Sequence, residues 1–499
     1  MGILHDVFER QAATHRDRMA VGGPREVLTY GQLAEAAAEF ARGLRQTWAT
    51  LAPAGWPDPA DRPRVVISAA NSPRYVAAYL GCLRAGAVPL LLDPVLGPQE
   101  IDAVIGSCGI DLLVHDRELP LSGLRDAGEL GGLSVTSALA YRPAGSVRPD
   151  LHPDTEVCRF TSGSTGMPSC IEFSGTAVLN AATAWNEASG TGPDDRILCF
   201  AGLFNGLAFN TSLLPAFLAG AALWLPSGMP SAGHVARFLR EIRPSRLTGF
   251  PALYDSLLRR DIAIPELAAL TVALSSAAPL STETRAALLA RHDLAVCNYY
   301  GVAETGPLTF DPDPAPDAGL GFPLPGAEFD FGPAGDLPGA ETTVTELRVR
   351  SRSMGTRYLN VPGHFERRRD ADGWFHTGDE GFLRDGRLFL AGRTGKAINI
   401  GGRKIDAAEV RTALLSVPGT VAVAVFTVEK GNGDPMLVAA LSGPVMADPA
   451  QLRAHCLGRL APYKVPERFL VVPEMPVTSL GKPRMSALRE LARGRGPAT

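Results

Sequence analysis

Residues 64–94, RVVISAANSPRYVAAYLGCLRAGAVPLLLDP, constrain the fold more than any other stretch of this chain. Val65 to Ser68 is a short, apolar, β-branched run and reads as a strand. Ser72 can cap a helix whose first turn carries Pro73, and Gly86 is placed to end it. Residues 88–92 form a second apolar strand. Strand, helix and strand in about thirty residues make a βαβ unit, whose strands lie parallel in one sheet. The pattern then repeats. Helix 98–106 leads to strand 111–115, helix 176–188 to strand 196–200, and helix 232–242 to strand 246–249. Residues 213–225 read as a helix and a strand, 252–260 as a helix, and 270–274 and 295–299 as strands. The expected fold class is α/β, with doubly wound sheets.

The 499 residues are too many for one ordinary core, so at least two domains are expected. Residues 1–50 carry two helical patterns split by a turn at Gly22-Gly23-Pro24. The second places Leu33, Ala37, Phe40 and Leu44 on one face. Residues 48–64 are rich in Pro, Ala and Asp and read as a surface loop. From Gly321 the texture changes to short strands between Gly and Pro, with hairpin turns at Asp372-Gly373 and Asp385-Gly386, as expected of a β subdomain. After Arg393 a small α+β unit follows: strands 420–428 and 437–441, helix 449–460 and strand 468–472. The expected division is a large domain over residues 1–393 and a small one over 394–499.

A net charge of −4 from 48 basic and 52 acidic side chains leaves no electrostatic footprint for nucleic acid. No run of 18 apolar residues occurs, so no membrane span is expected. The first twenty residues carry Asp6, Glu9 and Arg10 and read as an amphipathic helix rather than a signal peptide. Seven scattered cysteines without a CxxC read as reduced core residues, which points to the cytoplasm. The nine histidines show no metal-ligand spacing.

Against this frame, residues 160–174, FTSGSTGMPSCIEFS, stand out. Thr161, Ser162, Gly163, Ser164, Thr165 and Gly166 let a backbone bend tightly and turn hydroxyl and N–H groups toward phosphate oxygens. The pattern is not the Walker loop, because no GKS or GKT closes it. Two further small-residue loops, 275–279 and 300–306, follow expected strands, where open α/β sheets place their ligands.

Five segments occur in order: 160–174, 298–306 (NYYGVAETG), 376–379 (HTGD), 392–405 (GRTGKAINIGGRKI) and 479–484 (SLGKPR). Together they resemble the adenylate-forming superfamily, which comprises acyl- and aryl-CoA synthetases, adenylation domains of peptide synthetases, and luciferase. The resemblance runs from Leu28 to Met485. It implies a large N-terminal domain with a β subdomain and a small mobile C-terminal lid. It also implies ATP and magnesium as cofactors. The loop 161–166 would wrap the phosphates, with Thr161 touching phosphate and magnesium. Tyr300, flanked by Tyr299, Gly301 and Ala303, would stack on adenine beside Ser276, Ala277 and Ala278. Glu304 would hold magnesium, since a hard cation prefers carboxylate oxygen. Asp379 would accept both ribose hydroxyls and Arg393 would reach the same sugar. Gly395 and Lys396 would form the hinge. Lys482 would act as the catalytic lysine of the lid, meeting the charge that develops on the phosphoryl oxygens.

This sequence departs from the family pattern at the hinge, where Gly395 stands at the usual position of an Asp or Lys with Lys396 next, and at three further places. Ser169 and Cys170 stand where the family's loop continues with lysine and glycine, and Asn399 replaces a hinge-motif lysine. Cys170 reads as a small packed residue rather than a nucleophile. The acid pocket is expected from Phe204, Asn205, Phe250, Ser275 and Val302. Amino-acid-activating relatives place an aspartate where Asn205 stands. Asn205 either bonds a polar substituent of an aromatic acid or satisfies backbone. The resemblance implies a ligase that forms acyl-AMP and pyrophosphate from an aromatic carboxylic acid. The acyl group then passes to the thiol of coenzyme A or to the phosphopantetheine arm of a separate carrier protein. The competing readings are an amide-forming ligase and a non-catalytic nucleotide-binding protein.

Overall fold

The computed structural model describes the chain outside residues 1, 53–61, 120, 142–144, 162–167, 228–230, 259–263, 277–279, 332–344, 394–396, 401–402, 431–433, 444–447, 477–484 and 494–499. The first βαβ unit is present as Arg64–Ser68, Pro73–Ala85 and Val88–Leu91, with the strands parallel and Ile67 opposite Leu91. The Ser72 hydroxyl accepts the Tyr75 N–H at 3.2 Å, and Gly86 closes the helix at φ +81°. That left-handed conformation costs glycine no Cβ clash.

Two large sheets carry the chain to about residue 300. In the eight-stranded sheet the order is Arg357–Tyr358, Ser169–Ser174, Thr155–Thr161, Val88–Leu91, Arg64–Ser68, Leu112–His115, Leu133–Ser137 and Arg125–Leu130. Its four middle strands, from Thr155–Thr161 to Leu112–His115, are parallel. The seven-stranded sheet runs Val296–Asn298, Val272–Ser275, Arg246–Gly249, Arg196–Cys199, Ala222–Trp224, Met19–Gly22 and Val27–Thr29, parallel except at the last pair. A common apolar core joins them and includes Tyr75, Tyr79, Trp185 and Phe209. Tyr79 meets Phe209 edge-on, ring centroids 5.9 Å apart. Burying a ring of this size stabilises the fold by about 1.5–3 kcal/mol. Beyond them lies the expected β subdomain, an antiparallel sheet of Ala327–Asp330, Thr345–Ser351, Phe375–Arg384 and Arg387–Arg393. Its hairpin turns at Asp385 (φ 51°) and Gly386 (φ 76°), both left-handed, as a tight two-residue turn requires.

The C-terminal unit matches the expected order, as Ala422–Glu429, Pro435–Ser442, helix Pro449–Leu457 and Arg468–Val471. It is tied to the large sheets by ions. Lys464 Nζ lies 2.5 Å from Glu100 Oε1 and 2.8 Å from Glu409 Oε1, all three side chains being buried, and Arg403 pairs with Asp93 at 3.1 Å. All seven cysteines are buried and unbridged. Among the described residues no helix is long and apolar enough to cross a membrane.

Several elements differ from expectation. Near the N-terminus the turn at residues 22–24 joins two strands, Met19–Gly22 and Val27–Thr29, instead of two helices. Helix Tyr30–Leu51 begins in a Thr29–Gln32 capping box and runs through Trp48, which extends the buried face of Leu33, Ala37, Phe40 and Leu44 into the expected loop. The hairpin Arg125–Leu130 with Leu133–Ser137 carried no pattern long enough to read. Residues 209–213 form one wide turn of π-helix before the α-helix Leu214–Ala219. The Ser/Gly loop joins two antiparallel strands, Thr155–Thr161 and Ser169–Ser174, with Thr161 opposite Ser169.

Candidate active site

Two strand ends meet one strand of the β subdomain. Strands Val272–Ser275 and Val296–Asn298 end side by side, Ser275 opposite Asn298. The chain then continues into Tyr299, whose N–H donates to Ser275 O at 3.1 Å and whose carbonyl accepts the Ser276 hydroxyl at 3.1 Å. Burial raises the Tyr299 phenol above its ordinary range, and the Arg159 charge opposes that shift. Gly301–Val302 pairs with Gly306–Pro307, so closely that a Cβ on Gly301 would lie 2.5 Å from Gly306 O. Ala303, half-buried, follows in the turn.

Of the expected nucleotide residues, the structure brings Tyr300 and Asp379 together across 79 positions: the Tyr300 hydroxyl donates to Asp379 Oδ2 at 2.7 Å, both residues being buried. The Thr377 hydroxyl accepts the Asp379 N–H at 3.0 Å. Asp379 and Arg393 are cross-strand partners in the hairpin of Phe375–Arg384 and Arg387–Arg393, which places the two expected ribose residues on one rung.

Glu304 sits nearby, buried, and its Oε1 accepts the Tyr358 hydroxyl at 2.5 Å and Arg368 Nη1 at 2.9 Å. Arg368 in turn donates to the carbonyls of His376 and Thr377, each from Nη2 at 2.9 Å. Burial, then Glu304, push the Tyr358 phenol far above its ordinary range, so it stays a donor. Tyr358 and Arg368 escaped sequence reasoning: neither lies in a motif, and they reach Glu304 across 54 and 64 positions.

Thr161 is half-buried at its strand end. The Asn360 side chain pins the returning strand, accepting Cys170 N–H at 2.8 Å and donating to Pro168 O at 2.9 Å. Ser169 and Cys170 are both buried, and burial drives the Cys170 thiol far up, consistent with a packed, unreactive residue. Residues 162–166, Ala277, Ala278, Gly395, Lys396 and Lys482 lie outside the described residues.

Of the expected acid-pocket residues, Val302 and Ser275 are buried, while Phe204 and Phe250 are half-buried against the common core. The Asn205 Oδ1 accepts the Leu207 N–H at 2.8 Å and caps the short helix Gly206–Ala208. Of its two readings, the backbone one is therefore present for the amide oxygen. Helix Gly206–Ala208 and the π turn pack against Gly306–Pro307, and Phe209, Tyr299 and Val302 belong to one apolar core. Arg159, also missed, is buried there on the strand that leads to Thr161. A single charge inside the run Val157-Cys158-Arg159-Phe160 was the available signal.

Residues 8–359 match the model of the family described as AMP-binding enzyme. The chain is 27% identical over 464 residues to a 3-hydroxybenzoate–CoA ligase of Aromatoleum sp. (strain CIB), covering 86% of this chain and 87% of that one. It is 29% identical over 504 residues to a feruloyl-CoA synthase of Amycolatopsis sp., covering 95% and 96%. In three dimensions it is similar to the o-succinylbenzoate CoA synthetase of Bacillus subtilis, with a TM-score of 0.79 over 97% of this chain and 98% of that one. At 20% identity, that last likeness speaks for the fold. The family match runs through both large sheets, and the chain belongs to the AMP-binding enzyme family as an AMP-forming ligase.

Proposed function

We propose that this chain activates an aromatic carboxylic acid with ATP and passes the acyl group to a thiol, that of coenzyme A or of a carrier-bound phosphopantetheine. The acid's carboxylate oxygen attacks the α-phosphorus, the bond from that phosphorus to the bridging oxygen breaks, and pyrophosphate leaves. A thiolate sulfur then attacks the acyl carbon, and AMP leaves. The observation that carries this reading is the Tyr300–Asp379 hydrogen bond, which sets a ring and a carboxylate side by side at the strand ends. An adenine on the Tyr300 ring would put its ribose hydroxyls at Asp379, which retains acceptor capacity beyond the Tyr300 bond. Arg393, its partner on the same rung, would reach the same sugar. The aromatic acid is supported by relatives named for 3-hydroxybenzoate and ferulate.

Glu304 and Thr161 offer a carboxylate and a hydroxyl, an all-oxygen donor set that suits a magnesium ion. When bound, such an ion would neutralise phosphate charge. Arg368 and Tyr358 hold the Glu304 carboxylate in place for that task. The lid, residues 394–499, would deliver Lys482 to the phosphoryl oxygens only on closure, which favours the transition state over bound substrate. Asn205 would contribute its Nδ2 donors to a ring substituent, since its oxygen is engaged.

Pyrophosphate release over a panel of acids, with and without coenzyme A, tests the reading. An acid-dependent signal and a mass-identified aryl thioester are expected. Release without any thioester, and an amide when an amine is supplied, would move the acceptor to nitrogen. No release with any acid would defeat the ligase reading.

A further inference from the structure

Four arginines are buried among the described residues: Arg64, Arg159, Arg246 and Arg285. Three have evident partners. Arg64 donates to Cys108 O at 2.6 Å, Arg246 pairs with Asp195 at 2.9 Å, and Arg285 donates to three carbonyls at 2.7–2.9 Å. Arg159 differs. It is 4% exposed, yet among the described residues no carboxylate pairs with its guanidinium and no carbonyl accepts from it; its buried Nε, like those of Arg64 and Arg246, has no hydrogen-bond partner. Its guanidinium lies 4.3 Å from the centre of the Phe173 ring and 5.1 Å from that of Phe209. Two aromatic faces stabilise a cation but cannot satisfy five N–H donors. Burial lowers its pKa to about 10, which leaves it charged at neutral pH.

The head of Arg159 faces the acid side of the site. A Cβ on Gly206 would lie 2.8 Å from Arg159 Nη1 and 3.8 Å from Asn210 Nδ2, so glycine at 206, next to Asn205, leaves the guanidinium room. Arg159 also precedes Thr161 by two residues on one strand, so both side chains face the same way. Two residues of strand advance about 6–7 Å, roughly the length of a benzene ring with a substituent carbon at each end. An unpaired buried cation is expensive, and an anion that arrives with the substrate removes the cost.

We propose that the acid activated here carries a second anionic group, and that Arg159 pairs with it. The substrate class is a dicarboxylic acid about one ring long, held with one carboxylate at the adenylation end and the other at Arg159. This rests on the reading that the cleft of residues 204–209 and 299–302 takes the acid. Arg159 then sets specificity rather than catalysing.

The test compares benzene-1,4-dicarboxylate with 4-methylbenzoate, in pyrophosphate release by the wild type, Arg159→Met and Arg159→Lys. Wild type should favour the diacid by at least tenfold in kcat/KM. Arg159→Met should lose about 10²-fold on the diacid and little on the methyl acid, with the ATP KM unchanged. Arg159→Lys should recover part of the loss. Gly206→Ala, which crowds Nη1 without removing it, is the second variant should Arg159→Met not fold, and should raise the diacid KM severalfold more than that of the methyl acid. A wild-type preference for the neutral acid, or an equal loss on both acids, overturns the proposal. If no acid releases pyrophosphate, the ligase reading fails by itself. Calorimetric binding of benzene-1,4-dicarboxylate then decides on Arg159: binding to wild type and not to Arg159→Met supports it, and absent or equal binding overturns it.

Discussion

The proposed nucleotide side and the proposed acid side of the site solve the same problem in opposite ways. On the nucleotide side the buried polar groups are satisfied from within: Tyr300 on Asp379, and Tyr358 and Arg368 on Glu304. On the acid side, Arg159 Nε and Ser275 Oγ are buried without a hydrogen-bond partner among the described residues. A satisfied network is rigid and holds its shape without ligand. An unsatisfied group costs free energy until something fills its valence. The first arrangement suits a partner that never changes, and the second suits a site that must choose among acids.

The largest expected effect would break the nucleotide side. Lys482→Ala should cut acyl-AMP formation by about 10²-fold or more, with ATP affinity little changed, because a donor that meets developing charge acts on the transition state. Supplied acyl-AMP should still go to product in a coupled assay. Equal loss in both half-reactions would mean that one lid orientation serves both. Next, Tyr300→Phe removes one donor from the buried Asp379, a loss of about 1–3 kcal/mol if the carboxylate goes unsatisfied. It should raise the ATP KM five- to a hundredfold and leave the ranking of acids as it is; a changed ranking would merge the two sides.

A smaller effect is expected away from both sides, at the Lys464 cluster. Burial, opposed by Lys464, raises Glu409 to about 7. A carboxylate raised above its unfolded value holds its proton longer in the folded state. Its contribution to stability is therefore full below about pH 4.5 and falls as pH rises toward and through 7. Melting temperatures from pH 5 to 8 should decline more steeply for wild type than for Glu409→Gln; parallel curves would show that Glu409 is ionised throughout. The smallest effect belongs to Asn205→Leu. Losing the cap of a three-residue helix should cost about 0.5–2 kcal/mol. Relative turnover should move modestly toward alkyl acids in a pyrophosphate-exchange profile, and an unchanged profile would leave Asn205 a purely structural residue.

Legibility in the sequence followed distance along the chain. The crossover units were readable because their signals are local: Ser72-Pro73 opens a helix and Gly86 shuts it within fourteen residues. Met19–Gly22 was not, because four residues carry no period and its strand partner Ala222–Trp224 lies two hundred residues away. The site divides the same way. Tyr300, Glu304 and Asp379 announced themselves inside compact motifs. Tyr358 and Arg368 did not, since their role exists only once folding sets them against Glu304. Arg159 was visible as an oddity in an apolar strand, but that its Nε finds no hydrogen bond among the described residues is a property of the folded interior.

The hairpin that carries Asp379 and Arg393 has one more consequence. Its ladder runs from Arg384 opposite Arg387, at the turn, to Asp379 opposite Arg393. The second pair is the open end, where such a ladder frays first. A sugar gripped from both strands would rivet that end shut. Arg393 would then sit on a clamped rung when nucleotide is present and on a loose one when it is absent. Amide exchange at residues 390–393 would report the clamp directly, slowing on nucleotide addition without any change in the turn at Asp385.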